Sequence, residues 1–174
     1  MYKLVNPINI RAQDMWDCIG PHVLWSGSRV IDYGVGFGDI LAAARASGAV
    51  CFAMDKQLKD FQAGCDRRSE QISDYVVGIM NFDEYAPRVG YDVAFCCSVL
   101  PYLTDPDLML AVMADYSKMS FIECQYYGDG PGKVVDDHAM KAWLEKYWTH
   151  VLKIGSTFVD GRDKHRAIWK CFNE

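Results

Sequence analysis

Apolar residues in this chain fall into short runs whose spacing alternates between the strand period of two and the helical period of 3.6. Arg11 to Ile19 has helical spacing and stops before Pro21, with Trp16 and Trp25 as apolar anchors. Arg29-Val30-Ile31 begins a first strand, and Asp39 to Ala44 opens a helix that Ser47-Gly48 ends. Val50 to Met54 reads as the second strand, Lys56 to about Cys65 as a helix, and Asp74 to Met80 as the third strand. A connection through Pro87 and Gly90 leads to a fourth strand from Tyr91, then a helix over Asp105–Tyr116 with Pro106 in its first turn. Ser120 to Gln125 is a fifth strand, and Gly128–Gly132 is a loop. Asp137 to Thr149 is helical through Met140, Trp143, Leu144 and Tyr147. Val151–Val159 and His165–Phe172 close the chain as strands, with Asp160-Gly161 a hairpin signal inside a connection longer than two residues.

Strand and helix alternating at this spacing predict an α/β fold, a doubly wound, mostly parallel seven-stranded sheet with helices on both faces. The 174 residues fit one domain, residues 1–174, in which 1–28 form an N-terminal helical segment that caps the site. Although 51% of residues are apolar, no run reaches the ~18 residues of a membrane span, and no signal-type stretch follows Met1-Tyr2-Lys3. The expectation is a soluble, cytoplasmic protein. Its seven cysteines include no C-x-x-C pair and read as small buried hydrophobes in a reducing compartment, so no metal is expected. A net charge of −5 argues against generic nucleic-acid binding.

Chemistry concentrates at Asp32-Tyr33-Gly34-Val35-Gly36-Phe37-Gly38, between the first strand and its helix. Alternate glycines permit a sharp turn and close approach of a ligand to bare backbone, and the following helix N-terminus offers free N–H groups. A dinucleotide fingerprint requires a third small residue; Asp39 or Leu41 occupies that place, depending on register. Asp32 would repel a pyrophosphate and suits a cationic ligand.

The pattern Asp32-x-Gly34-x-Gly36-x-Gly38 resembles the first motif of the class I (Rossmann-like) S-adenosylmethionine-dependent methyltransferases. In that family the glycine loop lies against the methionine part of the cofactor, and an acid ending the second strand holds the ribose. Val50-Cys51-Phe52-Ala53-Met54-Asp55 offers such an acid, 21 positions after Gly34. Tyr91 to Leu103 resembles the family's fourth strand, with Ser98 as the small polar residue beside the reactive methyl. The resemblance implies S-adenosyl-L-methionine as cofactor, an antiparallel C-terminal strand pair, and a cofactor site of Asp32, Gly34, Gly36, Gly38, Asp55, Asn81 and Ser98. At Asn81 the chain departs from relatives that carry an acid for the adenine amino group, unless Asp83 reaches it; Ile79 or Met80 could pack on the ring.

Methyl transfer needs no metal and no thiol nucleophile, so the catalytic residues stay unassigned. Tyr102, Tyr126, Tyr127 and His138 are candidate bases for an acceptor that must lose a proton. The fourth strand lacks the N/D-P-P-Y type motif, which disfavours exocyclic amino groups of DNA. With no insertion to form a substrate lid, a small-molecule acceptor, an open site or a partner subunit, including a homo-oligomer, is expected. Two other readings stay open: a non-catalytic cofactor- or partner-binding domain, and a nicotinamide-dependent oxidoreductase.

Overall fold

The structure, a computed structural model, describes residues 10–82, 89–123, 136–159 and 162–174. Helix α1 (Ile10–Ile19) precedes β1 (Arg29–Tyr33), α2 (Asp39–Ala46), β2 (Val50–Asp55), α3 (Lys59–Arg68), β3 (Val76–Ile79) and β4 (Tyr91–Cys97). Helix α4 (Pro106–Tyr116), β5 (Ser117–Glu123), α5 (Asp137–Leu144), β6 (His150–Val159) and β7 (Arg162–Phe172) complete the order. The strands form one seven-stranded sheet, β3-β2-β1-β4-β5-β7-β6. Every pairing from β3 to β5 is parallel, and β7 runs antiparallel to both β5 and β6.

The period of two along each strand sorts the core into two layers. On one face Val30, Cys51, Ala53, Val93, Phe95 and Phe121 pack with residues of α1, α2 and α3; on the other Ile31, Tyr33, Ala94, Cys96 and Ile122 pack with residues of α4 and α5. Helix α1 is tied down by Trp16 against Trp25, ring centroids 4.9 Å apart, and Trp25 against Phe95 at 6.1 Å. Adjacent Cys96 and Cys97 belong to opposite faces, as strand geometry requires.

Element boundaries differ from expectation mostly at helix ends. Helix α3 starts at Lys59 and runs to Arg68, three residues later than expected at both ends, and Ser69 stops it in a left-handed conformation. Helix α5 ends at Leu144 rather than Thr149, and β5 begins at Ser117 rather than Ser120. Strand β7 starts at Arg162, so two residues rather than a longer connection separate β6 from β7. Tyr126, Tyr127, Asp83, the Gly128–Gly132 loop and Asp160-Gly161 lie outside the described residues.

Candidate functional site

Two cavities meet at the carboxyl ends of β1, β2 and β4. The first, about 200 Å³, lies between the glycine turn and α1 and is bounded by Arg11, Met15, Asp32, Gly36 and Asp39. The second, about 380 Å³, lies between the β2 and β4 ends, with Asp55, Lys56 and Asn81 against Phe82, Val99, Tyr102 and Leu103. Gly34 and Cys97 border both, marking a junction.

The turn is packed against Val99 and α3, and its glycines have different jobs. Gly34, Gly36 and Gly38 all have positive φ, which a side chain resists. A Cβ at Gly34 would strike Val99 at 2.3 Å, and one at Gly38 would strike Phe61 at 2.4 Å. Those two glycines serve packing. At Gly36 a Cβ would meet nothing within 4 Å, so this residue presents backbone to open space beside the first cavity. Helix α3 braces the turn from behind, where Gly64 leaves room for the Phe37 carbonyl and Arg68 Nη1 donates to that carbonyl at 2.9 Å.

Asp39, the residue that breaks the dinucleotide pattern, opens α2 and is neutralised from α3. Arg68 Nη1 donates to its Oδ1 at 2.8 Å, and Arg67 binds the same oxygen. Asp55 is engaged more lightly. Its Oδ2 accepts the Gly36 N–H at 3.1 Å, linking the end of β2 to the exposed glycine.

Asp32 is different. Only 6% of it is exposed, it borders the first cavity, and among the described residues no hydrogen bond or ion pair holds its carboxylate. Burial, and then the charge of Asp55, push its carboxyl up to about 7. Neighbouring Cys97 is pushed well above the usual thiol range by burial, then by Asp32 and Glu123, so it is a poor nucleophile at neutral pH.

Ser98 borders the second cavity, and its hydroxyl is held by three protein side chains. Its hydroxyl donates to Glu123 Oε2 at 2.5 Å and accepts from Arg11 Nη2 and Arg166 Nη1, each at 2.8 Å. A serine hydroxyl has one proton and two lone pairs, so all its capacity is spent. The residue borders the second cavity, yet its side chain is committed to α1, β5 and β7.

Glu123, at the end of β5, is the hub that sequence reasoning missed. It is fully buried, accepts from Thr157 Oγ1 at 2.8 Å, and lies 3.3 Å from Arg11 Nε and 3.8 Å from Arg166 Nη1. An acid directly after the apolar pair Phe121-Ile122 at the end of β5 was the available signal. Among the candidate bases, Tyr102 borders the second cavity and is 73% exposed. His138 is on the exposed first turn of α5, which Asp136 caps, and borders neither cavity. Among the described residues no group of three or more metal-ligating side chains gathers, and no helix is long and apolar enough to cross a membrane.

No family model matches the sequence, and no curated protein matches it. Solved structures do resemble the fold. One is the magnesium protoporphyrin IX methyltransferase of Synechocystis PCC 6803 with bound S-adenosylhomocysteine, 13% identical, TM-score 0.73, covering 94% of this chain and 82% of that one. A second is the 1,6-didemethyltoxoflavin-N1-methyltransferase of Burkholderia thailandensis with its acceptor and S-adenosylhomocysteine, 17% identical, TM-score 0.68, covering 96% and 80%. A putative RNA methyltransferase from Pyrococcus horikoshii is 15% identical with TM-score 0.65, covering 98% and 87%. The architecture of this chain is the class I methyltransferase fold.

Proposed function

We propose that the chain binds S-adenosylmethionine across the two cavities and transfers its methyl group to a small-molecule acceptor. The observation that carries this reading is Asp32, a buried carboxylate with no partner among the described residues, bordering a cavity beside a glycine whose missing Cβ leaves open space. A buried polar group without a partner is costly, and a cationic ligand supplies what the protein omits.

The residues present fit the cofactor piece by piece. Arg11 and Asp32 border one cavity and match the carboxylate and cationic parts of a methionine moiety. Asp55, with one oxygen spent on Gly36, keeps the other for ribose hydroxyls. The second cavity pairs apolar Phe82, Val99 and Leu103 with the polar Asn81, a lining suited to a purine. Ser98 then acts by positioning α1 and its Arg11, and the binding set narrows to Asp32, Gly36, Asp55 and Asn81, with Gly34 and Gly38 shaping the turn.

The bound cofactor brings an electrophilic methyl on a sulfonium, which leaves orientation and exclusion of water to the protein. Arg11, Ala12 and Met15 of α1 roof the first cavity. Tyr102, at the exposed rim of the second cavity, is the described side chain best placed to accept an acceptor proton. The bound methyltransferase neighbours whose acceptors are small molecules support that acceptor class. Isothermal calorimetry with S-adenosylmethionine, S-adenosylhomocysteine and a nicotinamide dinucleotide tests the reading: the first two bind and the third does not. Binding of the dinucleotide alone overturns it.

A further inference from the structure

Asp32 is surrounded by groups of known disposition. Arg11 comes from α1; Asp39, already clamped by Arg67 and Arg68, from α2; Asp55 and the buried thiol of Cys51 from β2; and Cys97 from β4. Among the described residues no histidine borders either cavity. The Asp32 charge is felt by Cys97, which borders both cavities, so the carboxylate lies near the junction rather than at the far end of the first cavity. Under the proposed function, that junction is where the ligand changes charge.

S-adenosylmethionine and S-adenosylhomocysteine carry the same adenosine, carboxylate and amino groups. They differ by one methyl and one positive charge at sulfur. Transfer breaks the S–C bond with its electron pair left on sulfur, an acceptor lone pair forms the new bond to carbon, and the acceptor's proton goes to solvent or to a base. The ligand facing Asp32 has then lost one unit of charge.

Resting on the proposed cofactor, we propose that Asp32 discriminates the two charge states: it stays ionised beside the sulfonium and takes up a solvent proton once the methyl has left. The site therefore holds the methylated form more tightly than the demethylated one, and does so increasingly as pH rises. The geometry is that of a buried, unpaired carboxylate open to a cavity through which water delivers the proton. Its raised protonation range, centred near 7, places the exchange at neutral pH. Because Asp39 is neutralised by two guanidiniums, Asp32 is the acid on that wall available to respond.

Calorimetric dissociation constants for both ligands, measured at about pH 6 and about pH 8.5, provide the test. In the wild-type protein the preference for S-adenosylmethionine over S-adenosylhomocysteine rises on the order of tenfold between the two pH values. In Asp32→Asn the preference is smaller and independent of pH. A titration belonging to the ligands themselves would persist in the variant. A second measurement needs no variant: in buffers of different ionisation enthalpy near pH 7, S-adenosylmethionine binding releases roughly half a proton to one proton more than S-adenosylhomocysteine binding. A pH-independent preference, equal slopes in both proteins, or equal proton release overturns the proposal while leaving the cofactor reading intact. Failure of both ligands to bind the wild-type protein overturns the cofactor reading, and this proposal falls with it.

Discussion

Two buried acids stand near the carboxyl ends of the sheet under the same helix, and they could hardly be treated more differently. Glu123 on β5 is surrounded by Thr157, Ser98, Arg11 and Arg166, which supply hydrogen bonds and opposite charge. Asp32 on β1 is 6% exposed and has no hydrogen-bond or ion-pair partner among the described residues. Burial without compensation is tolerated only where something else gains from it, since ionisable groups lose several kcal/mol of solvation on entering a protein. A saturated acid reads as scaffold, and an unsatisfied one beside a cavity is a candidate for binding.

The sharpest test of that contrast is Glu123→Ala. Removing the carboxylate leaves the guanidiniums of Arg11 and Arg166 facing each other across the Ser98 hydroxyl, and should cost about 3 to 5 kcal/mol of stability. Chemical denaturation would show this as a lower midpoint at unchanged m-value, and an unaltered midpoint would break the scaffold assignment.

Asp32→Asn should move stability in the opposite direction. Because the folded state raises this carboxyl to about 7, the folded state gains from protonation; its stability declines as pH rises from about 4 and levels off above about 7. An amide cannot ionise, so the cofactor-free variant should be more stable than wild type above pH 7 by on the order of 2 to 4 kcal/mol, and about equal near pH 4. Thermal melts across pH would reveal the divergence, and parallel curves would remove Asp32 from its special position.

Asp55 lies between the two extremes, with a single backbone hydrogen bond. Asp55→Ala should change stability little and weaken S-adenosylmethionine binding by on the order of 2 to 3 kcal/mol, because charge-assisted bonds to ribose are lost. Calorimetry giving the wild-type affinity would sink the ribose assignment.

Gly36→Ala should have the smallest effect on the fold. The new methyl meets no atom, and the cost is the left-handed backbone, roughly 1 kcal/mol. Binding should suffer more than stability. The matching change Gly38→Ala, which drives a methyl into Phe61, should reverse that order.

Much of this was legible in the chain. Strand and helix order follow from periodicity, since a period-two run between glycine and proline breaks has few other uses; Asp32 and Gly36 border the first cavity, and Asp55 and Asn81 the second. Helix limits were less legible, because α3 ends where Ser69 turns left-handed rather than at a glycine or proline. Ser98 borders the second cavity, and its hydroxyl is held by side chains from distant parts of the chain. Its partners lie 25, 68 and 87 residues away, and no local pattern encodes them.

Local chemistry thus determined which residues could make a glycine turn, end a strand in an acid, or bury an alternating face. Those properties depend on neighbours a few positions apart. Only the tertiary structure decided which acid would be satisfied. Folding brings Arg11 and Arg166 from distant parts of the sequence onto Glu123 and Ser98, while Arg67 and Arg68 take Asp39 and no described residue pairs with Asp32. Charge compensation depends on distances of a few ångströms between strands far apart in sequence, and those distances exist only once the sheet is assembled.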